Sequence, residues 1–323
     1  MSHKMKRLPP ETDRMSNQQE EHQHPHPRIL IVGNAGQLGR ELERSFAGFG
    51  TIAGVDREQV NLADPDQARA LVARFEPQII LNAAAYTAVD RAESEPEINY
   101  AINAEAPRVL AEEARNRGAL FVHYSTDYVF DGEKPGAWVE SDATGPLNAY
   151  GAAKLAGEQA VEKAGGRYLV FRTSWVYGPH GNNFLLTMLR LGREREELSI
   201  VDDQVGAPTT SIALADAAKA LVGGILDGRF GNAAEWAGLY HMTCGGSTSW
   251  FGFAQAIFRR AVELGMSKEP ELTPIGTKDY PMPAARPRNS VLSNEKLRTR
   301  FGIQLDPWEK ALEDVFQRLR EPA

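Results

Sequence analysis

One cysteine, Cys244, stands in the 323 residues. No disulfide can close within such a chain, which points to a reducing compartment and a cytoplasmic protein. Long apolar runs are missing as well. None approaches the ~18 residues that a membrane span requires, so no membrane association is expected. Positive charge is in short supply: 36 Lys and Arg face 43 Asp and Glu, a formal net charge of −7. Nucleic-acid binding needs a basic surface and is not expected. An anionic small ligand stays open, because a local set of amides and arginines can outweigh a global charge. The first 27 residues, MSHKMKRLPPETDRMSNQQEEHQHPHP, lack the apolar stretch of a secretory signal and too few apolar groups are present to order them. They are read as a disordered tail. Its alternating His22, His24 and His26 suit a metal on paper, yet a solvated tail or cloning remnant accounts for them more simply.

From Arg28 onward the pattern changes. RILIVG is a short, β-branched, apolar run that predicts a buried strand, and QLGRELERSF (37–46) has apolar residues at helical spacing. TIAGVD (51–56) is a second strand. Asp64 can cap, and Pro65 can open, a helix running through ARALVARF. PQIILNAAA (77–85) predicts a third strand, Glu97 to Arg117 one long helix, and ALFVHYS (119–125) a fourth strand. A helix carrying Tyr150 and Lys154 follows, and RYLVFRTS (167–174) is the fifth strand. Strands alternating with helices at this spacing predict an α/β fold with a doubly wound, Rossmann-type parallel sheet. After about Trp175 Gly, Pro and Trp crowd the loops. The expected division is a dinucleotide-binding domain at 28–174, joined by a returning segment near 195–227, with 175–323 mostly a smaller substrate-binding lobe.

GNAGQLG sets Gly33, Gly36 and Gly39 between the first strand and the first helix. There glycines permit positive φ and close backbone approach, and the helix start offers N–H donors to a pyrophosphate. Asp56 ends the second strand, 20 residues beyond Gly36, where such folds bind the adenosine ribose. A carboxylate there disfavours a 2′-phosphate, whereas Arg57 could pair with one, so NADH and NADPH both stay open. In NAYGAAK, Tyr150 and Lys154 stand at i and i+4 on one helix face, and a cation beside a phenol makes it a useful proton donor or acceptor.

The GxxGxxG spacing together with Tyr150-x-x-x-Lys154 resembles the extended branch of the short-chain dehydrogenase/reductase superfamily. Longer segments narrow the likeness: NAAAYTAVDRAESEP, HYSTDYVFDG, PLNAYGAAKLAGE, FRTSWVYG, GNNFLLTMLRL, DQVGAPT and ARPRNS. In that order they are similar to the dTDP-4-dehydrorhamnose reductase family, from about Arg28 to near the C-terminus. The resemblance implies NADPH- or NADH-dependent reduction of the 4-keto group of dTDP-4-dehydro-L-rhamnose. It gives Tyr150 the proton, Lys154 the nicotinamide ribose and a lowered tyrosine pKa, and Thr126 the carbonyl oxygen. Strand-end polarity would be the plain reading of Thr126 without the DYVFDG continuation. Cofactor contacts fall on Gly33, Gly36, Gln37, Leu38, Gly39, Asp56, Asn61, Leu62, Ala85, Tyr86 and Thr87, besides Tyr150 and Lys154. Substrate contacts fall on Thr126, Asp127, Trp175, Arg286 and Asn289. An Asp is common in the family where this chain has Asn61, and a His where it has Tyr86; both departures bear on cofactor preference.

Some relatives dimerise around magnesium held by acidic side chains. Glu41 and Glu309 match two of those positions, but Ile212 takes the third, and an apolar residue cannot ligate a hard cation. No structural metal is expected, and a homodimer is left open. Two other readings compete. One is a non-catalytic subunit like the regulatory subunit of methionine adenosyltransferase, which would gain had the Tyr–Lys pair or Thr126 been lost. The other is a related nucleotide-sugar epimerase or reductase.

Overall fold

The computed structural model describes residues 26–268 and 270–321; the tail expected to be disordered lies, as far as residue 25, outside them. Strands β1 (Arg28–Val32), β2 (Thr51–Val55), β3 (Ile79–Asn82), β4 (Leu120–Thr126) and β5 (Arg167–Thr173) form one parallel sheet with a sixth strand, Gly238–His241. The order is sixth strand–β5–β4–β3–β1–β2, every neighbour parallel. The sheet is thus doubly wound. From β1 the chain moves outward to β2, then crosses back to β3 on the other side. The direction of winding reverses between β1 and β3, which is where such sheets open a crevice at their carboxyl edge.

Strict alternation sends side chains to both faces. Ile29 and Ile31 of β1 join one apolar cluster with Leu38, Leu42 and Phe46, whereas Leu30 and Val32 join the other with Val72, Val109 and Leu110. Burial on both faces is what makes these strands continuous apolar runs. Helix α1 (Gln37–Phe46) supplies the three large residues of the first cluster from one stripe. Helix α2 (Pro65–Phe75) starts as its sequence predicts: the Asp64 carboxylate accepts from the Asp66 N–H at 3.0 Å, with Pro65 in the first turn.

Two departures from the sequence expectation matter for the site. The stretch read as one helix from Glu97 to Arg117 is a helix at Pro96–Tyr100, a π-helical turn at Ala101–Glu105 and a helix at Ala106–Asn116. The sheet's sixth strand, GLYH, comes from a segment to which the sequence pattern assigned no strand. Helix Ser211–Leu226 lies along α1, and the Ser45 hydroxyl donates to Asp216 at 2.6 Å across that contact. The later residues also make two-stranded pairs: Glu197–Val201 with Glu271–Ile275, Val176–Tyr177 with Thr209–Thr210, and Val205–Gly206 with Thr248–Ser249. No helix among the described residues is long and apolar enough to cross a membrane.

Candidate active site

The crevice begins at the glycine loop. Gly33 has φ +85°, and a Cβ there would lie 2.7 Å from the Ala84 nitrogen, so only glycine lets the loop after β1 press against the loop after β3. A Cβ on Gly39 would lie 2.1 Å from the Gly33 carbonyl oxygen, so the helix can start this close to the turn only with glycine. Gly36 is the N-cap of α1; no side chain caps the helix and no acid stands in its first turn. The first N–H groups of α1, at Gln37, Leu38 and Gly39, therefore offer an uncompensated positive end. A dinucleotide pyrophosphate fits this cradle. The Gln37 side chain turns elsewhere, donating to the Asn182 carbonyl at 3.2 Å and accepting from Asn183 at 2.9 Å.

Around it stand the other residues expected to face a cofactor. Asp56 follows β2, with one carboxylate oxygen accepting from the Glu58 N–H at 2.9 Å. Asn61 accepts from the Ala63 N–H at 3.1 Å, a local turn, and Leu62 packs on the second apolar cluster. Ala85, Tyr86 and Thr87 follow β3. The Tyr86 phenol is drawn outward to Glu95 and Arg91. Its backbone is held on both sides by Asn103, which accepts from the Tyr86 N–H and donates to the Tyr86 carbonyl, each at 3.0 Å. Asn103 in turn donates to Asn99 at 2.8 Å, and Asn99 to the Ala149 carbonyl at 2.8 Å. These two buried asparagines tie the cofactor-side loop to the first turn of the Tyr–Lys helix. Sequence reasoning missed them, although polar residues four apart on the buried face of NYAINAE were the available signal.

Asn148 caps the Ala149–Ala164 helix, accepting from the Gly151 N–H at 2.8 Å. That cap places Tyr150 in the first turn, at the carboxyl end of β4. Thr126 ends β4; its hydroxyl donates to Asp127 at 3.0 Å and accepts from the Tyr128 N–H at 3.2 Å. It also reaches the Tyr150 phenol. Burial, then the Asp127 charge, hold the Tyr150 pKa above its ordinary value, and the Thr126 hydrogen bond opposes them. Asp127 is 3% exposed, and one carboxylate oxygen has no partner among the described residues. Burial raises its pKa to about 6, against hydrogen bonds from Ser290 and Thr126.

Lys154 is 1% exposed and turns beneath the sheet edge. Its ammonium donates to the Tyr124 carbonyl at 2.6 Å and stands 3.3 Å from His123 Nε2. Burial lowers its pKa to about 8, with the Glu158 carboxylate opposing. The causes that set the Tyr150 pKa here are burial, Asp127 and Thr126. The Lys154 nitrogen is held to β4 through the Tyr124 carbonyl.

On the other side of Tyr150 the ring of Tyr128 meets it edge-on, centroids 5.8 Å apart, and the Tyr128 phenol contacts Arg286. Tyr128 is a third residue that the sequence reading passed over. Arg286 forms a bidentate pair with Asp90, at 2.7 and 2.8 Å. Asn289 is spent on the loop before the site: it donates to the Lys134 and Gly136 carbonyls and accepts from the Val291 N–H. Trp175 takes a left-handed φ of +49°, uncommon for a bulky residue and a mark of local strain. Its ring stacks on Trp250 with centroids 3.5 Å apart and lies so close over Gly206 that a Cβ there would be 2.5 Å from it. Away from the crevice, Glu41 is buried and bound by Arg44 at 2.6 Å and Arg318 at 3.5 Å, and Ile212 packs on the first apolar cluster.

The arrangement sets a phenol, a hydroxyl and a buried amine beside a glycine-lined crevice, and comparison with known proteins agrees. The family model described as RmlD substrate binding domain matches residues 27–321. A dTDP-4-dehydrorhamnose reductase of Burkholderia thailandensis is 49% identical over 292 residues, covering 88% of this chain and 96% of the relative. The chain belongs to the dTDP-4-dehydrorhamnose reductase family. Another member, from Escherichia coli K12, is 42% identical over 296 residues, covering 90% of this chain and 97% of its own. The crystal structure of a dTDP-4-dehydrorhamnose reductase from Bacillus anthracis in complex with NADP superposes with a TM-score of 0.83 at 38% identity, covering 91% of this chain and 99% of that one.

Proposed function

We infer that the chain reduces the 4-keto group of dTDP-4-dehydro-L-rhamnose to give dTDP-L-rhamnose, using a reduced nicotinamide cofactor. The observation that carries this is the joint presence of Tyr150, Thr126 and Lys154 at the carboxyl end of β4, in a family member at 49% identity to a reductase of that name. A regulatory subunit would have no need of all three.

The cofactor supplies a hydride to the carbonyl carbon when bound. The chain's own residues do the rest. Gly33, Gly36, Gln37, Leu38 and Gly39 hold the pyrophosphate, and Asp56, Asn61, Leu62, Ala85, Tyr86 and Thr87 hold the adenosine side. Negative charge builds on the carbonyl oxygen, where hydrogen-bond donors must already stand in place. Tyr150 is one such donor and then yields its proton, and the Thr126 hydroxyl becomes the other on turning from Asp127 to the carbonyl oxygen. A phenol whose pKa is held high stays protonated at neutral pH, the state that a reduction requires. Lys154 donates one N–H to the Tyr124 carbonyl and stands against His123, and a further N–H serves the nicotinamide ribose. Asp127 and Trp175 meet the deoxysugar, and Arg286 and Asn289 belong to the loop that carries the nucleotide diphosphate.

Both nucleotides remain within reach of Asp56 and Arg57, and the NADP-bound relative supports NADPH as the preferred one. The dinucleotide-binding domain spans 28–174 with a returning segment near 195–227, and the substrate lobe takes most of 175–323. We assign no structural magnesium, since arginines already answer the Glu41 charge and Ile212 offers no ligand. Any homodimer would form without it. The cytoplasm is the expected compartment. The deciding assay is NADPH oxidation by the purified protein with dTDP-4-dehydro-L-rhamnose, against a different nucleotide ketosugar. Oxidation matched one for one by dTDP-L-rhamnose is expected. A cofactor that is recycled with no net consumption would point to epimerisation, and absence of turnover to a binding protein.

A further inference from the structure

His123 lies on β4 between the Tyr–Lys helix and β3, fully buried, and has no task in the reaction described above. Its two nitrogens have unlike neighbours. Nδ1 is 3.1 Å from Asn82 Nδ2, and Nε2 is 3.3 Å from the Lys154 nitrogen. The Asn82 carbonyl oxygen is already committed, accepting from the Ala84 N–H at 3.2 Å, which fixes how that amide points. Burial and the Lys154 charge hold the imidazole well below its ordinary pKa, so it carries a single proton.

The donor count then decides the proton's place. A carboxamide nitrogen only donates, so Nδ1 must accept and the proton must sit on Nε2. There it faces Lys154. An Nε2–H pointing at an ammonium sets donor against donor, whereas pointing at a neutral amine it makes a hydrogen bond. The observed arrangement therefore suits Lys154 uncharged. When one proton enters from solvent to charge Lys154, Nε2 must become the acceptor. The imidazole keeps its one proton, shifted to Nδ1, and Asn82 receives it on its backbone carbonyl or on a side-chain oxygen turned toward the ring. A turned side chain would set Nδ2 against Ala84 and release the Ala84 N–H. Ala84 is the residue packed against Gly33 in the crevice.

We propose that His123 is a positioning residue for Lys154, and that Asn82, His123 and Lys154 form one buried line in which the lysine charge selects the histidine tautomer. The function assigned to Lys154 here rests on the reductase reading. Other groups facing this line are Tyr150 and Glu158 on the same helix, Tyr124 on β4, and Arg172 on β5, whose guanidinium is taken by Glu158 at 2.7 to 3.2 Å. Asn82 lies against the ring with two acceptors, its side-chain oxygen and its backbone carbonyl, and the latter hydrogen-bonds the imidazole.

Nitrogen NMR of histidine-labelled enzyme, with His123→Gln assigning the signal, reads the tautomer directly and needs no substrate. The expected result is Nε2–H at high pH giving way to Nδ1–H as pH falls through the Lys154 titration, about 8. In Lys154→Met the switch should vanish. A single tautomer across that range in the wild type, or an unchanged switch in Lys154→Met, overturns the proposal. Kinetics supply a second reading. His123→Gln keeps a group that both donates and accepts, and should retain kcat within about threefold, while His123→Phe should lose about tenfold or more with KM little changed. Equal losses in two variants that fold normally would leave His123 a packing residue. An enzyme inactive on the ketosugar would defeat the functional reading while leaving the tautomer test intact.

Discussion

Asp127 is a carboxylate held out of water with one oxygen unpartnered among the described residues, and burial pushes its pKa up to about 6 from an ordinary 3.8. The sign follows from proton counting. Below about pH 4 the group is protonated in both folded and unfolded chains, and contributes nothing. Between about pH 4 and 6 the unfolded chain sheds the proton while the folded one keeps it, so stability falls as pH rises. Above pH 6 the deficit is constant, roughly 2–3 kcal/mol. Asp127→Asn should therefore stabilise the fold at pH 7.5 by about that amount, with the gain fading below pH 5, and should slow turnover. Denaturant titrations at several pH values check it, and a variant no more stable than the wild type at pH 7.5 would show the buried charge to be compensated. Such a residue, costly to the fold and set beside the phenol, is the kind that function retains.

At the scale of elements, Asn148 does two things from one side chain. Its oxygen caps the Tyr–Lys helix, and its nitrogen donates to the Ala285 carbonyl at 2.7 Å, fastening the ARPRNS loop to the start of that helix. Asn148→Ser keeps an acceptor for the cap and loses the long donor, so stability should change by less than about 1 kcal/mol. KM for the nucleotide sugar should rise several-fold as the loop loosens. An unchanged KM would mean that the loop is positioned by Arg286 and Asp90 alone. The Asp64–Pro65 helix start and five strands were legible in the sequence, because each depends on residues within a few positions. The π-helical turn was not, since the apolar spacing of NYAINAE suits an ordinary helix. What forces the turn there is tertiary: a Cβ on Gly157 would be 2.2 Å from the Asn103 carbonyl oxygen, so the two helices are pressed together. The short GLYH strand, the Trp175–Trp250 stack and the inward turn of Lys154 likewise depend on partners distant in sequence. Glycine loop, Tyr150, Lys154 and Thr126 stand in local motifs, whereas the asparagines that align them showed only as two polar residues four apart.

The whole molecule is joined at more places than a boundary near residue 174 suggests. The sixth strand of the central sheet is Gly238–His241, the face of α1 is covered by Ser211–Leu226, and Arg286 is paired to Asp90 across the crevice. A chain ending at 174 would leave β5 as an open apolar edge and strip the first cluster of Leu214, Leu221 and Val222. The nucleotide-binding half is therefore completed by residues that follow the substrate loops, and the two halves should unfold together. Calorimetry of the full chain is expected to give one transition, with the calorimetric and van't Hoff enthalpies equal. NADPH should shift that transition upward as a unit, because whatever binds the folded state alone stabilises all that folds with it. Two resolved transitions, only one of them moved by NADPH, would mean that the lobes fold independently despite the shared strand.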